Sequence, residues 1–517
     1  DLNFMSWGKD FDYFFFRNCA VKVTTDSIEP VDYVDLPFHV NRKAIIDADY
    51  HPLKSPLFTI EENPEYAARK ELNDQRMADK RMNENERRRE DAEFIAYQRL
   101  YRFLLRMPKD IDQMPVCVQW LYDTSRIHWR KEAEGYPLTE LEKQRQDMHF
   151  ICKVALMGYM LSRYRTGIMQ KMGVVTDYTV ADEGKNSGGT GKSFFRSFFE
   201  LVRKVCYIPG QTLKKKENMA KNFDKFHYTV DSMCLIDDLR PDMMGSEFYN
   251  ITDNITVKTL YHDEMTLPRE ATPKIFITMN KMPFDMTEGS TSRRIFLAMQ
   301  SDYYHDEDYA GQFKKRTPQT KFGKDIFLEA TEEERDEAVY MMLQSCQFYL
   351  GLQESLIPPM SQDGQMRILY SAIKDQVFID WANHFFANQW HWCRPVSISE
   401  MAISYLEHRG DAVTLQSVKS VKNEMIEKMQ AYCFNMQYTM NPSIVYRSDK
   451  GSKYPRHYAW EQEFMNDTIR REERTRKFTR VCFFYKLGEE PKDSKEILSC
   501  PESDEEWQEK KRLEMDD

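Results

Sequence analysis

Asn186-Ser187-Gly188-Gly189-Thr190-Gly191-Lys192-Ser193 is the stretch that decides the fold. The residues ahead of it, GVVTDYTV (173–180), are rich in β-branched side chains and read as a strand. The residues that follow, KSFFRSFFELVRKV (192–205), read as a helix. Strand, glycine-rich turn, Gly-Lys-Ser and helix is the setting in which backbone N–H groups cradle phosphates. Lys192 is then placed for the β and γ phosphates, and the Ser193 hydroxyl for Mg²⁺. The helix start adds a favourable dipole. Asn186 stands where the pattern asks for its first glycine; asparagine tolerates left-handed backbone better than most residues.

Three further features lie downstream. MCLIDDL (233–239) is an apolar strand ending in Asp237 and Asp238. Beside a phosphate loop, Asp237 suits a magnesium ligand and Asp238 a group that orients and activates water. KIFITMN (274–280) ends in Asn280, whose amide can reach the γ-phosphate and the attacking water. TSRRIFLAM (291–299) carries Arg293 and Arg294, and an arginine forks to phosphate and is always charged. Taken singly, the acids fit a strand leaving for a loop, the asparagine a turn, and either arginine a surface ion pair. Their order within about 110 residues after Asn186 is what describes one ATP site.

Around this core, short strands alternate with helices, which predicts an α/β domain with a largely parallel sheet. Residues 11–24 read as paired strands, and 33–60 as irregular chain. A long charged helix is expected from about Glu65 to Arg106, and Thr139 with Glu142 forms a capping box opening another helix to about Tyr164. SISEMAISYLEHRG and LQSVKSVKNEMIEKMQAYCF read as helices, followed by a hairpin at SIVYRSDKGSKYPRHYAW with bases Arg447, Lys450, Lys453 and Arg456. Helices followed by a hairpin suggest a winged-helix unit.

The ten cysteines include no C-x-x-C pair, which argues against a zinc ribbon or a disulfide framework and for a reduced, cytoplasmic setting. No apolar run is long enough for a membrane span. The formal charge of −10 is unevenly spread. From Glu489 onward there are 12 acids and 5 bases, whereas Arg394 to Arg480 holds 15 bases and 11 acids. The chain starts at Asp1 rather than Met, which leaves room for an upstream domain.

The stretch from Ala155 to Met299 resembles the superfamily 3 helicases, a branch of the AAA+ ATPases found in viruses, phages and plasmids. ALMGYMLSRYR ahead of the loop, the 45-residue gap to Asp237, and ITVKTLYHDEMTLPREATP leading into KIFITMN carry the resemblance. It implies an AAA+ P-loop core at 151–345 and a hexameric, Mg²⁺- and ATP-dependent DNA helicase. It makes Lys192 and Ser193 the Walker A pair, Asp237 and Asp238 the Walker B acids, Asn280 the sensor, and Arg294 (or Arg293) the arginine finger. It also implies a DNA-gripping hairpin at Thr256–Thr266, with Lys258 and His262 as contacts. Asp263 and Glu264 beside His262 depart from the basic tip of that family, and Lys214 to Lys216 offer other channel charge. The remaining expected segments are a β-containing 1–60, a helical collar at 61–150, a winged-helix-like 346–486 and an acidic tail at 487–517. Expected partners are single-stranded or forked DNA and a primase or polymerase, with no membrane. An origin-loading ATPase and an AAA+ protein remodeller, with Tyr261 in the pore, are the alternatives.

Overall fold

A computed structural model describes residues 3–78, 100–165, 171–178, 189–213, 230–240, 256–257, 265–267, 272–280, 294–305, 313–352, 376–436, 438–442 and 481–486, with a few single positions between. All structural statements concern those residues. They fall into two compact units, 1–365 and 366–517, taken here in turn.

In the first unit β1 (Phe11–Phe15) pairs antiparallel with β2 (Ala20–Thr24), and β2 with β3 (Ile28–Val31). The two-residue period of a strand divides its side chains. Phe14, Val21 and Val23 join the main core, while Tyr13, Phe15 and Ala20 close a small cluster with Phe38. Next come β4 (Thr59–Glu62), α1 (Pro64–Ala78) and β5 (Phe103–Arg106), the last antiparallel to β4. This corrects the single helix expected from Glu65 to Arg106. The rings of Tyr66 and Phe94 stack with centroids 5.8 Å apart, where one continuous helix would separate those residues by about 42 Å. A single straight helix through both residues is therefore excluded. Phe103 is buried in the core, so its segment leaves the helix for a ladder that satisfies its backbone.

Then follow α2 (Val116–Asp123), α3 (Trp129–Ala133) and α4 (Glu140–Leu161). The capping box at Thr139 and Glu142 is formed: Glu142 N–H donates to Thr139 Oγ1 at 3.2 Å, and Thr139 N–H to Glu142 Oε2 at 2.7 Å. Beyond α4 the chain builds β6 (Met172–Asp177), α5 (Phe194–Glu200), β7 (Val205–Pro209), β8 (Met233–Asp237), β9 (Thr256–Val257), β10 (Met265–Thr266), β11 (Lys274–Thr278) and β12 (Ile295–Gln300). Helices α6 (Pro318–Phe322) and α7 (Glu332–Leu352) close the unit. Five strands form one sheet in the order β12-β6-β11-β8-β7, and every neighbouring pair is parallel. The expected α/β class with a parallel sheet is present.

From Met148 to Leu161, α4 is buried along its whole circumference, because it has a neighbour on each side. Leu156 and Met160 lie against Gly173 of β6. At Gly158 the helix meets α7 so closely that a Cβ would sit 2.0 Å from the Ser345 carbonyl oxygen. The first hairpin is fastened to the same core. Arg203, just past α5, donates to Asp12 Oδ1 at 2.6 Å, to the Tyr13 carbonyl at 2.6 Å and to the Leu161 carbonyl at 3.2 Å. Its guanidinium lies 3.7 Å from the centroid of the Phe14 ring. Asp12 also accepts from the Arg163 N–H at 2.6 Å.

The second unit contains α8 (Gln376–Ala387), β13 (Pro395–Ser397), α9 (Ile398–Arg409), α10 (Leu415–Asn435), β14 (Thr439–Met440) and β15 (Val481–Tyr485). Both helices expected at 397–434 are present. β15 lies between β13 and β14 and is antiparallel to each. Phe378, Trp381, Phe386, Tyr405, Met429 and Phe484 give this unit its own core. The hairpin expected at 443–460, with Arg447, Lys450, Lys453 and Arg456, lies outside the described residues, as does the tail from 492. The boundary expected at 346 falls inside α7, whose Leu350 and Leu352 belong to the first unit's core. No helix among the described residues is long and apolar enough to cross a membrane.

Candidate functional site

The strand order puts a reversal at β6. The connection from β6 runs to β7 at one edge, whereas the connection from β11 passes to β12 on the other side of β6. In open parallel sheets, ligands bind outside the carboxyl ends of the strands at such a reversal. Asp177, Asp237, Thr278 and Gln300 close β6, β8, β11 and β12 at this edge, and Gly189 to Ser193 lead into α5.

Within that loop, Gly189 has φ +92° and Gly191 φ +88°, values that side chains other than glycine rarely adopt. Gly191 is also closely packed: a Cβ there would lie 3.3 Å from Trp120 Nε1 and 3.6 Å from Gln300 Nε2. Gln300 Nε2 donates to the Thr190 carbonyl at 2.8 Å and pins the loop to the end of β12. Trp120 Nε1 and Gln300 Oε1 are fully buried and make no hydrogen bond among the described residues. N–H groups of Phe194, Phe195 and Arg196 donate to the carbonyls of Gly191, Lys192 and Ser193, so the helix starts in a tight turn. Ser193 is exposed and its hydroxyl does not cap that helix. Asn186, Ser187 and Gly188 lie outside the described residues.

Lys192 is engaged within its own chain. Its Nζ donates to Asp177 Oδ1 at 2.6 Å, to Asp177 Oδ2 at 2.7 Å and to Thr190 Oγ1 at 3.1 Å. Thr190 Oγ1 in turn donates to Asp177 Oδ1 at 2.7 Å.

The two acids of β8 are held by β11. Thr278 Oγ1 donates to Asp237 Oδ1 at 2.6 Å and accepts from the Asp238 N–H at 2.8 Å. Tyr207 of β7 donates to Asp237 Oδ2 at 3.3 Å. Burial and then the charge of Asp237 raise the Tyr207 phenol above its ordinary range, so it stays a donor. Asp238 has φ +54°, a left-handed conformation that aspartate tolerates better than most residues. Its carboxylate accepts from Asn280 Nδ2 at 3.0 Å and from Gln211 Nε2 at 2.8 Å. The turn leaves little space: a Cβ on Gly210 would lie 2.6 Å from the Asp237 carbonyl oxygen.

Asp237, Asp238 and Asn280 therefore form one bonded group. Lys192 and Thr190 form another at the end of β6, two strand spacings or about 10 Å away across the sheet. Arg294 is not brought to either. It immediately precedes β12, where Ile295 pairs with Met172 at the start of β6, whereas Gln300 pairs with Asp177 at its end. Six residues of strand, about 20 Å, separate Arg294 from the carboxyl edge. Arg293, Lys258, His262 and Lys214 to Lys216 lie outside the described residues. The base of the expected hairpin is formed, with Thr256 opposite Thr266 and Val257 opposite Met265.

Comparison of the chain with models of known protein families and with curated proteins finds no match.

Sequence reasoning missed Asp177, Thr278, Gln300, Trp120, Tyr207 and Gln211. Two of these carried a signal. Asp177 is the one acid in the run GVVTDYTV, and Thr278 stands two residues before Asn280, on the same side of an extended chain. Nothing local marks the other four.

Proposed function

We propose that this chain is an ATP-driven DNA helicase of the AAA+ kind, working as a hexameric ring on single-stranded DNA in the replication of a virus, phage or plasmid. The observation that carries the ATPase part is the carboxyl edge of the sheet. There a loop with two left-handed glycines and a lysine faces a bonded group of two aspartates and an asparagine, with one strand between them. The DNA and replication parts rest on the resemblance of residues 155–299 to superfamily 3 helicases. The second unit is compatible with them: its described elements run helix, strand, two helices and two strands, with the last strand central, an order that a winged helix also has.

The residues fit Mg²⁺ and ATP. Mg²⁺ is usually held by one or two protein oxygens together with phosphates and water. The exposed Ser193 hydroxyl and the Asp237 carboxylate are donors of that type. Gly189 and Gly191, at backbone angles that other residues rarely adopt, suit a loop that turns its N–H groups toward phosphate. When bound, Mg·ATP supplies the phosphoryl group to be transferred. Lys192 neutralises charge on the β and γ phosphates, and Asp238, steadied by Asn280 and Gln211, orients the attacking water. Arg294, at the far edge of its own sheet, completes a neighbour's site rather than its own, and this favours a ring with shared sites.

ATP turnover by the purified chain, with and without single-stranded DNA, tests the reading. Lys192→Ala is expected to abolish hydrolysis, and Asp238→Asn to bind ATP without turning it over. Undiminished turnover in Lys192→Ala would refute the ATPase assignment, and turnover indifferent to DNA the helicase assignment.

A further inference from the structure

Lysine has three N–H donors and no acceptor, and all three of Lys192 are in use. Two go to the oxygens of Asp177 and one to Thr190 Oγ1. Neither partner is a casual surface group. The Asp177 side chain is 1% exposed and that of Lys192 10%. Asp177 ends β6 opposite Gln300, and Gln300 holds the Thr190 carbonyl, so strand end and loop are locked together. Thr190 Oγ1 fixes Asp177 Oδ1 from the loop side. The movable member is the four-carbon arm of Lys192.

Resting on the nucleotide reading above, we propose that Asp177 is a built-in competitor for Lys192, an autoinhibitory carboxylate that the phosphates of a nucleoside polyphosphate must displace. An ammonium whose hydrogens are all taken has none for a phosphate oxygen. Binding therefore requires Lys192 to turn away from a carboxylate too buried to be rehydrated. Apparent affinity is the intrinsic affinity multiplied by the fraction of molecules in which Lys192 is free. The contact sets a threshold: the loop responds to the high charge of a polyphosphate chain and disregards weaker anions.

Equilibrium titration of the full chain with fluorescent Mg·ADP tests this. Asp177→Asn, which leaves Lys192 without its anion, is expected to bind about tenfold tighter than wild type. Binding equal to or weaker than wild type, in protein that melts cooperatively, overturns the proposal. Removing any negative charge near phosphate also aids binding, so the same change is made in a Lys192→Ala background. There the gain is expected to vanish, and a gain of the same size refutes a competition for Lys192. If Asp177→Asn does not fold, Asp177→Ser reads the same quantity. Should wild type bind while the variants gain nothing, the competitor alone is wrong. Should neither wild type nor variants bind, the nucleotide reading falls and takes the competitor with it.

Discussion

Thr278→Val keeps the shape of the last residue of β11 and deletes one oxygen. That oxygen makes two bonds, a donation to the Asp237 carboxylate at 2.6 Å and an acceptance from the Asp238 N–H at 2.8 Å. A hydrogen bond to a charged group contributes roughly 1.5–3 kcal/mol and a neutral one about 1 kcal/mol. The expected loss of stability is therefore about 3 kcal/mol. The effect on turnover comes through position. Asp238 sits at φ +54°, which costs roughly 1–2 kcal/mol, and its N–H bond to Thr278 opposes that cost. Once released, Asp238 relaxes toward right-handed backbone and its carboxylate leaves Asn280. Misplacement of a catalytic group by about 1 Å costs on the order of 10²-fold, so kcat is expected to fall by about that factor. KM for ATP should change less than kcat, because among the described residues Thr278 bonds the two aspartates and not Lys192 or Thr190. Steady-state ATPase assays and denaturant melts on Thr278→Val and Thr278→Ser provide the measurement, with the serine recovering both quantities. If the valine variant loses the expected stability yet keeps wild-type kcat, the aspartates do not depend on Thr278 for their positions, and the argument fails.

Two other outcomes follow from the same structure. Arg294→Ala should bind ATP normally and hydrolyse it about 10³-fold more slowly. Mixing it with Lys192→Ala should restore part of the rate, and mixed rings that stay inactive would show that Arg294 does not serve a neighbour. Asp147, buried on α4, has its carboxyl raised from 3.8 to about 6 by desolvation. Between those values the folded chain keeps a proton that the unfolded chain has lost, so stability falls as pH rises through the window. The full penalty, about 3 kcal/mol at most, applies above pH 6. Asp147→Asn should therefore raise the melting temperature more at pH 7.5 than at pH 4.5, and an equal gain at both would mean that Asp147 stays ionised in the fold.

The parallel sheet was legible because each of its strands is a short apolar run with its own signature, and MCLIDDL and KIFITMN carry their polar groups at the tip. Helices α4, α9 and α10 were legible for the same local reasons, periodicity and a capping box. Pairings between distant segments were not. β4 and β5 are joined across some 40 residues, and LLR reads equally well as a helix end until Phe103 is seen to be buried. VCFFY at 481–485 pairs with β14 across a comparable gap, and nothing local announces that pairing. In the candidate site, Lys192, Asp237, Asp238 and Asn280 were singled out by residue type and order. The partner of Lys192 was not, because Asp177 is fifteen residues earlier and no local pattern links the two.

Arg203 has a mechanical consequence. It stands three residues beyond the end of α5 and grips Asp12 and Tyr13 of the first hairpin, together with the end of α4. The helix that begins beside Lys192 is thus one arm of a lever whose other arm is the β1-β2 ribbon. Any tilt of α5 on the sheet must either carry that ribbon with it or expose a buried guanidinium. The amino-terminal strands, seemingly remote from the phosphate loop, are in this sense its recoil.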